Sequence, residues 1–310
     1  MARIFDCIVI GGGIGGLAAG VYLSRFNLHV MIIDDNKSRA SLIPVSYNFP
    51  AFPEGISGKD ILERMTAQYN RYGNKLIKDK VISVNQLSEN RFKVRTENKA
   101  YLSKTIILAT GVFDIEPSCP NLVNAIKNGV VRHCLICDGY EQKNKRIAIL
   151  GDNLEAVNHA LLLHTYSSDL TIIMINKKFV LSSSNLERLR CHKIRFIYSR
   201  ISDMKVTGKK IQIFLDQDSQ NFDTVYSALG IKPQFEKGIN LGIRYNKDKL
   251  IMVNSRQETN VKGVFAVGDI VPGLNQMTVA CTHAAIAATR IFNILADRNL
   301  NLRKKGKQRN

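Results

Sequence analysis

The strongest constraint on the fold of this 310-residue chain is a glycine-rich turn. The turn lies between an apolar strand pattern and an apolar helix pattern. The segment FDCIVIGGGIGGLAAGVYLSRFNLHVMIIDD (5–35) predicts a strand, a turn, a helix and a second strand that ends at Asp34. Gly11, Gly13 and Gly16 have the G-x-G-x-x-G spacing, and Asp34 lies 23 positions after Gly11. Such a turn lets a pyrophosphate approach the backbone at a helix N-terminus, while the acid accepts hydrogen bonds from a ribose. The segment therefore predicts a dinucleotide site, without deciding between FAD and NAD.

A second, looser strand–helix–strand unit begins at residue 146, in RIAILGDNLEAVNHALLLHTYSSDLTIIMIN. Its first strand runs into a turn at Gly151, its helix extends to about Tyr166, and its second strand covers 170–175. Two such units in one chain predict an α/β protein with two Rossmann-like domains.

The order of the remaining patterns predicts that the second domain is inserted into the first. A late apolar strand, GVFAVGD, is followed by an apolar helix over about 275–296 that we expect to pack on the first domain's sheet. The predicted domains are 1–116 with 248–310, and an inserted domain over 117–247. We expect the basic end, 303–310, to be a disordered tail.

Charge and composition narrow the classes of partner. The chain carries 44 basic and 26 acidic residues, a formal net charge of +18, but the excess is scattered and there is no Trp. This pattern does not favour a nucleic-acid site, although a diffuse positive field speeds encounter with an acidic protein. The N-terminus does not have the pattern of a secretory signal, and the most apolar stretch is interrupted by Arg290. We therefore expect a cytoplasmic protein without a membrane span.

Two of the six cysteines, Cys134 and Cys137, lie three positions apart and are followed at once by Asp138. A structural disulfide, half of a metal site and a redox pair are the possible interpretations. A zinc site would need a second pair of ligands, and the other four cysteines are isolated. A two-residue spacing lets two sulfurs bond with little backbone movement, so the pattern favours a redox pair over a metal site and over an inert pair.

Several motifs, in this order and spacing, resemble the low-molecular-weight thioredoxin reductase family over residues 4–297. They are GGGIGG at 11–16, YNFPAFP at 47–53, ILATG at 107–111, CLICDGY at 134–140 and VFAVGDIVPGLNQ at 264–276. The resemblance implies an FAD domain in two segments, an inserted pyridine-nucleotide domain that carries the redox disulfide, and electron transfer through FAD to a thioredoxin-like protein.

The resemblance also implies roles for individual residues. In the redox pair, Cys137 would face the flavin, Cys134 would attack the substrate disulfide, and Asp138 would handle protons. Gly11, Gly13 and Gly16 would bind the FAD pyrophosphate, and Asp34 would bind the adenosine ribose. Gly111 would close a second turn that contacts FAD, and Asp269 would hold the ribitol chain. Asn48 and Gln276 would lie near the flavin.

The second turn departs from the family pattern and puts NADPH use in doubt. It reads G-D-N-L-E-A from Gly151 to Ala156, so Asn153, preceded by Asp152, stands where the second glycine would let a pyrophosphate approach. Asp152, Asn153 and Glu155 are able to cap the helix themselves and take the place of a phosphate. Beyond the next strand, the candidate cations for a 2′-phosphate are only Lys177 and Lys178.

Three functional hypotheses follow. The first is a thioredoxin-reductase-like flavoenzyme, expected as a homodimer, that acts on a thioredoxin-like protein or a small disulfide. The second keeps the flavin–dithiol core without NADPH, either reduced by ferredoxin or passing electrons from dithiols to oxygen. The third, a flavin-binding sensor or scaffold without catalysis, is disfavoured by the intact CxxCD motif.

Overall fold

The computed structural model describes residues 4–234, 239 and 241–307, with the backbone alone for 298–307. The strands are β1 Ile4–Ile10, β2 Val30–Asp34, β3 Ile77–Lys78, β4 Val81–Ser88, β5 Arg91–Thr96, β6 Ala100–Leu108, β7 Val112–Asp114, β8 Val131–Arg132, β9 Ile147–Gly151, β10 Leu170–Met174, β11 Arg195–Tyr198, β12 Ile201–Thr207, β13 Lys210–Leu215, β14 Ser219–Phe222, β15 Thr224–Ser227, β16 Ile231–Pro233 and β17 Val264–Ala266. The α-helices are α1 Ile14–Arg25, α2 Gly58–Asn70, α3 Leu122–Lys127, α4 Leu135–Asp138, α5 Glu155–Leu163, α6 Ser183–Cys191 and α7 Met277–Lys307, and short 3-10 turns cover Arg39–Leu42, Tyr140–Gln142 and Gly268–Ile270.

The chain forms two compact units. The first unit contains Met1–Ser41, Lys59–Phe113 and Pro233–Asn310, and the second contains Leu42–Gly58 and Asp114–Lys232. The chain therefore leaves and re-enters the first unit, as an insertion requires. The units differ from the predicted boundaries at three places: the second unit begins at Asp114 rather than 117, it ends at Lys232 rather than near 247, and it includes Leu42–Gly58. The assignment of these units to FAD and pyridine-nucleotide binding remains a prediction.

The first unit is built on a seven-stranded sheet with β1 near its centre. The order is β3-β2-β1-β6-β5-β4, with β17 also paired to β6. Strands β2 and β6 are parallel to β1, with Cys7 opposite both Val30 and Thr105. Since both faces of β1 are covered, its buried part, Cys7 to Ile10, is a continuous apolar run rather than an alternating one.

The two faces of β1 belong to different cores. Cys7 and Val9 lie in a cluster with residues of α1 and α7, whereas Ile8 and Ile10 pack with β4 and β5 on the opposite face. Helix α7 contributes five fully or largely buried residues to the first cluster: Ala284, Ala287, Ala288, Ile291 and Leu295. The prediction that this helix packs on the first domain's sheet is confirmed.

Helix α7 differs from the sequence expectations in two respects. Its segment Met277–Asp297 has a mean hydropathy of 1.4 and is long and apolar enough to cross a membrane, although a core helix passes the same test. Arg290, within this segment, forms an ion pair with Glu258 at 2.7 Å. The helical backbone also continues to Lys307, into the predicted disordered tail. Residues 308–310 lie outside the described part of the chain.

The second unit repeats the parallel architecture on a smaller scale. Its five-stranded sheet has the order β11-β10-β9-β15-β8, and a three-stranded antiparallel sheet has the order β12-β13-β14. Residues of β9 alternate between two cores, with Ile147 and Ile149 on the side of α5, and Ala148 and Leu150 on the other side. The predicted second strand–helix–strand unit is thus present as β9, α5 and β10.

Candidate active site

The turn between β1 and α1 has the backbone geometry that the glycine spacing predicts. Gly11 has φ +106°, a value that favours glycine. A Cβ on Gly16 would stand 1.9 Å from the carbonyl oxygen of Gly11, so only glycine allows the helix to pack this closely on the turn. Gly13 is the N-cap of α1, and no side chain caps the helix there. The first N–H groups of α1 therefore lack a side-chain acceptor, which is what a bound pyrophosphate requires.

A buried polar atom beside this turn also fits a bound dinucleotide. The Thr110 hydroxyl is buried and has no hydrogen-bond partner among the described residues. The same segment lies against the turn, since a Cβ on Gly11 would meet the Thr110 nitrogen at 3.3 Å. Buried polar groups are nearly always paired, so an orphan hydroxyl at this place indicates a ligand. The first turn thus fits FAD.

Asp34 lies at the end of β2, over the same turn. One carboxylate oxygen accepts a hydrogen bond from the Gly12 N–H at 2.8 Å, and the other accepts one from the Asn36 N–H at 3.1 Å. Burial raises the pKa of this carboxyl above its ordinary value, although the two N–H donors act in the opposite direction. Each oxygen retains a lone pair, so Asp34 is still able to accept a ribose hydroxyl.

The other predicted FAD residues of the first unit lie near strand and helix ends. Asp269 lies in the turn after β17 and pairs with Arg39, whose Nη1 is 3.2 Å from its Oδ2. Gln276 precedes α7, and its carbonyl accepts the first helical hydrogen bond, from the Ala280 N–H. Gly111 follows β6 with φ +69°. Their proposed FAD contacts remain predictions.

The redox pair lies where β8 ends and α4 begins, in the second unit. Cys134 is the N-cap of α4, and Cys137 lies within it. The two sulfurs form a disulfide, with the Cα atoms 5.3 Å apart. This pairing agrees with the redox interpretation of the CxxC motif. Among the described residues, no group of three or more His, Cys, Asp or Glu side chains is arranged to hold a metal ion.

The acid that follows the pair is held from two sides. Asp138 is buried, and its Oδ2 accepts a hydrogen bond from Arg132 Nη1. Its Oδ1 accepts a hydrogen bond from the Tyr226 hydroxyl at 2.5 Å. Arg132 and Tyr226 are register partners in the parallel pair β8–β15, so their side chains emerge on the same side of the sheet. Burial, and then the Asp138 charge, raise the pKa of Tyr226, which keeps the hydroxyl as a donor at neutral pH.

Two further contacts surround the redox segment. His133 Nε2 is hydrogen-bonded to the carboxylate of Glu116, which lies just after β7. Asn48 accepts a hydrogen bond from the Ser46 hydroxyl at 3.0 Å and donates one to the carbonyl of Ile136 at 3.4 Å. The segment around Asn48 thus contacts the backbone between the two cysteines. Its predicted contact with a flavin remains a prediction.

The second turn is closed by its own side chains. The Asn153 carbonyl oxygen accepts a hydrogen bond from the Glu155 N–H, in the first turn of α5, at 2.8 Å. The Asn153 amide in turn donates to Asp152 Oδ1 at 2.7 Å. Although the N-cap residue of α5 is Leu154, without a side-chain cap, the Asn153 side chain thus accepts the N–H of the first residue of the helix. Gly151 keeps the close strand–helix packing, because a Cβ there would stand 2.2 Å from the Cβ of Ala156.

The two lysines after β10 are not a preformed phosphate site. Lys177 forms an ion pair with Asp216 at 3.1 Å. The Lys178 backbone N–H donates to the Asn176 side chain at 3.1 Å. As observed, the second unit does not fit a bound NADPH: its turn is closed by its own side chains, and one of its two candidate lysines is paired with an acid.

Sequence reasoning missed the partners of the predicted site residues. Arg132 lies two positions before Cys134, so it was within reach of local inspection, but nothing local indicates Tyr226, which is 88 positions from Asp138. Arg39 is separated from Asp269 by 230 positions. Strand register brings Tyr226 to Asp138, and packing of distant turns brings Arg39 to Asp269.

Comparison with known proteins agrees with this geometry. The thioredoxin reductase of Peptoclostridium acidaminophilum is 28% identical over 311 residues, covering 94% of this chain and 96% of the relative. Among solved structures, HlmI superposes with a TM-score of 0.90 at 25% identity, covering 100% of this chain and 98% of the other. Thioredoxin reductase from Giardia duodenalis has a TM-score of 0.82 at 27% identity, covering 95% and 99%. The family model described as pyridine nucleotide-disulphide oxidoreductase matches residues 5–286. Since this match spans both units and the redox pair, the chain belongs to the pyridine nucleotide-disulphide oxidoreductase family.

Proposed function

We propose that the protein is an FAD-dependent disulfide oxidoreductase that reduces a thioredoxin-like protein. One observation carries the proposal: the Cys134–Cys137 disulfide, which closes at the start of α4 within a chain whose first turn fits FAD. The relatives from Peptoclostridium acidaminophilum and Giardia duodenalis are thioredoxin reductases, which supports a thioredoxin as substrate.

The first glycine turn, Asp34 and Asp269 would hold FAD. Bound FAD would supply the electron pair that opens the Cys134–Cys137 disulfide. The residues of the second unit then act on the substrate. The Cys134 thiolate attacks the substrate disulfide, forming a mixed disulfide and releasing one substrate thiolate. Cys137 attacks the mixed disulfide, restoring the Cys134–Cys137 bond and releasing the second substrate thiol. The substrate thereby gains two electrons and two protons, and the cysteine pair loses them.

Asp138 is proposed to manage protons at this pair from a fixed position. Arg132 and Tyr226 each hold one carboxylate oxygen, so the carboxylate cannot rotate freely. A proton exchanged with Asp138 has the Tyr226 hydroxyl as its immediate neighbour, at 2.5 Å.

The assignment of the two cysteines is tested with a matched pair of variants. Reduced Cys137→Ser and reduced Cys134→Ser are each mixed with an oxidised thioredoxin. Cys137→Ser should accumulate a covalent adduct that dithiothreitol reverses, because the attacking thiol is present and the resolving thiol is missing. Cys134→Ser should form little adduct. Equal yields from the two variants would contradict the assignment.

The reaction itself is tested without relying on a physiological donor. The holoenzyme is reduced anaerobically with dithionite and mixed with oxidised thioredoxin, and flavin reoxidation and thioredoxin thiols are measured together. Parallel arms with NADPH, NADH and reduced ferredoxin identify the donor. Flavin that stays reduced while thioredoxin stays oxidised would refute the proposal. The proposal also includes a homodimeric state and a cytoplasmic location, both supported by the resemblance alone. Sedimentation tests the first, and cell fractionation tests the second.

A further inference from the structure

The second unit retains the frame of a dinucleotide-binding turn. Strand β9 leads through Gly151 into α5, and Ala156 packs directly against that glycine. The frame is the same as that of β1 and α1, where the corresponding turn is open. The two turns of one chain therefore allow a direct comparison of what makes such a turn able to hold a pyrophosphate.

The hydrogen bonds differ between the two turns. Helix α1 begins at Gly13 without a side-chain cap. At α5, the Asn153 side chain already takes the Glu155 N–H, and Asp152 fixes the orientation of the Asn153 amide. A further hydrogen bond joins the Asn176 amide to the backbone oxygen of Asp152 at 3.2 Å. A pyrophosphate would have to displace this arrangement before it reached the helix N-terminus.

The distribution of acidic residues near the N-termini of α1 and α5 also disfavours a pyrophosphate at the second turn only. The first turn of α1 contains no acid, whereas Glu155 stands in the first turn of α5 and Asp152 just before it. Rotation of Asn153 on binding would free an N–H but would not remove either carboxylate. A carboxylate about 6 Å from a negative charge of the pyrophosphate repels it. At an effective dielectric of about 20, this repulsion lowers the affinity for the nucleotide on the order of a hundredfold.

We infer that Asp152 and Asn153 exclude pyridine nucleotides from the second unit, so that this turn is a specificity determinant and not an NADPH site. The inference concerns binding to the second unit and is independent of the thiol chemistry. The reductant of FAD then does not dock on the turn between β9 and α5.

Binding of NADPH and NADH to the FAD-loaded enzyme tests the inference by calorimetry and by equilibrium ultrafiltration. Wild type should show no saturable binding below about 1 mM, and Asp152→Ala combined with Asn153→Gly should bind at least about tenfold more tightly. Ser182→Gly is the matched control. It removes another N-cap of the same unit, the hydrogen bond from the Asn185 N–H to the Ser182 hydroxyl, and should bind no nucleotide.

Three outcomes would overturn the inference: saturation of wild type at micromolar NADPH, a double variant that matches wild type, or a gain in Ser182→Gly equal to that of the double variant. If the double variant does not fold, Asp152→Ala alone keeps the Asn153 cap and should still gain affinity. Tight wild-type binding would leave the thioredoxin reaction untouched, so the two proposals fail separately.

Discussion

Removal of one hydroxyl, in Tyr226→Phe, isolates the contact that holds Asp138. The Tyr226 ring is fully buried and the phenylalanine ring fills the same space, so packing changes little. What is lost is a 2.5 Å hydrogen bond to a carboxylate that is also paired with Arg132. A hydrogen bond to a charged group contributes about 1.5–3 kcal/mol, and that is the expected loss in the free energy of unfolding.

Tyr69→Phe is the matched control, because Tyr69 is also fully buried. Its hydroxyl donates to the neutral carbonyl of Val30 at 3.4 Å, a long contact. Its removal should cost less than about 1 kcal/mol. Urea denaturation followed by circular dichroism gives both values at saturating FAD, and hydrogen exchange shows which unit has lost stability. For Tyr226→Phe the loss should fall on β8, α4 and β15.

A double-mutant cycle of Tyr226→Phe with Asp138→Asn separates the contact from other effects of each change. The two side chains share one short hydrogen bond, so the coupling energy should be about 1–2 kcal/mol. The reasoning is refuted if Tyr226→Phe costs no more than Tyr69→Phe, or if the coupling is within error of zero. Either result would mean that the Arg132 ion pair alone holds Asp138.

Three further outcomes are expected. Gly16→Ala should abolish FAD retention, because its Cβ would overlap a carbonyl at 1.9 Å, whereas Gly15→Ala, whose nearest contact is 3.4 Å away, should retain FAD on gel filtration. Arg39→Ala should weaken FAD binding about tenfold in fluorescence titrations, because Asp269 loses its 3.2 Å partner, and Arg39→Lys should lie between that variant and wild type. Burial lowers the pKa of His283 below its ordinary value, so its contribution to stability is complete above about pH 6.5 and is lost as pH falls through the folded-state pKa. His283→Asn should therefore flatten the dependence of the urea midpoint on pH between about 6.5 and 5, and an unchanged slope would contradict this.

The sequence predicted elements whose signals are local. The apolar run of β1, the glycines after it and Asp34 lie within one continuous segment, and the structure has them as β1, α1 and β2. Self-capping by Asn153 was predictable for the same reason, since donor and acceptor are two residues apart.

What the sequence could not supply was the pairing of distant segments. Tyr226 meets Asp138 because β15 pairs with β8 in one register, and a slip of one residue would turn the hydroxyl to the other face. Asn48 was assigned to the first domain, but its segment belongs to the second unit and contacts Ile136. Such contacts depend on long-range packing, which periodicity does not encode.

The position of Cys7 has a consequence for oxidative damage. Burial raises the pKa of this thiol to about 12. At neutral pH this thiol is therefore almost entirely protonated and carries little of the reactive thiolate. Peroxide formed nearby would therefore modify accessible sulfur first, such as that of Cys191 on the surface of α6. Oxidation of the protein should therefore begin at exposed cysteines and leave Cys7 in β1 unmodified.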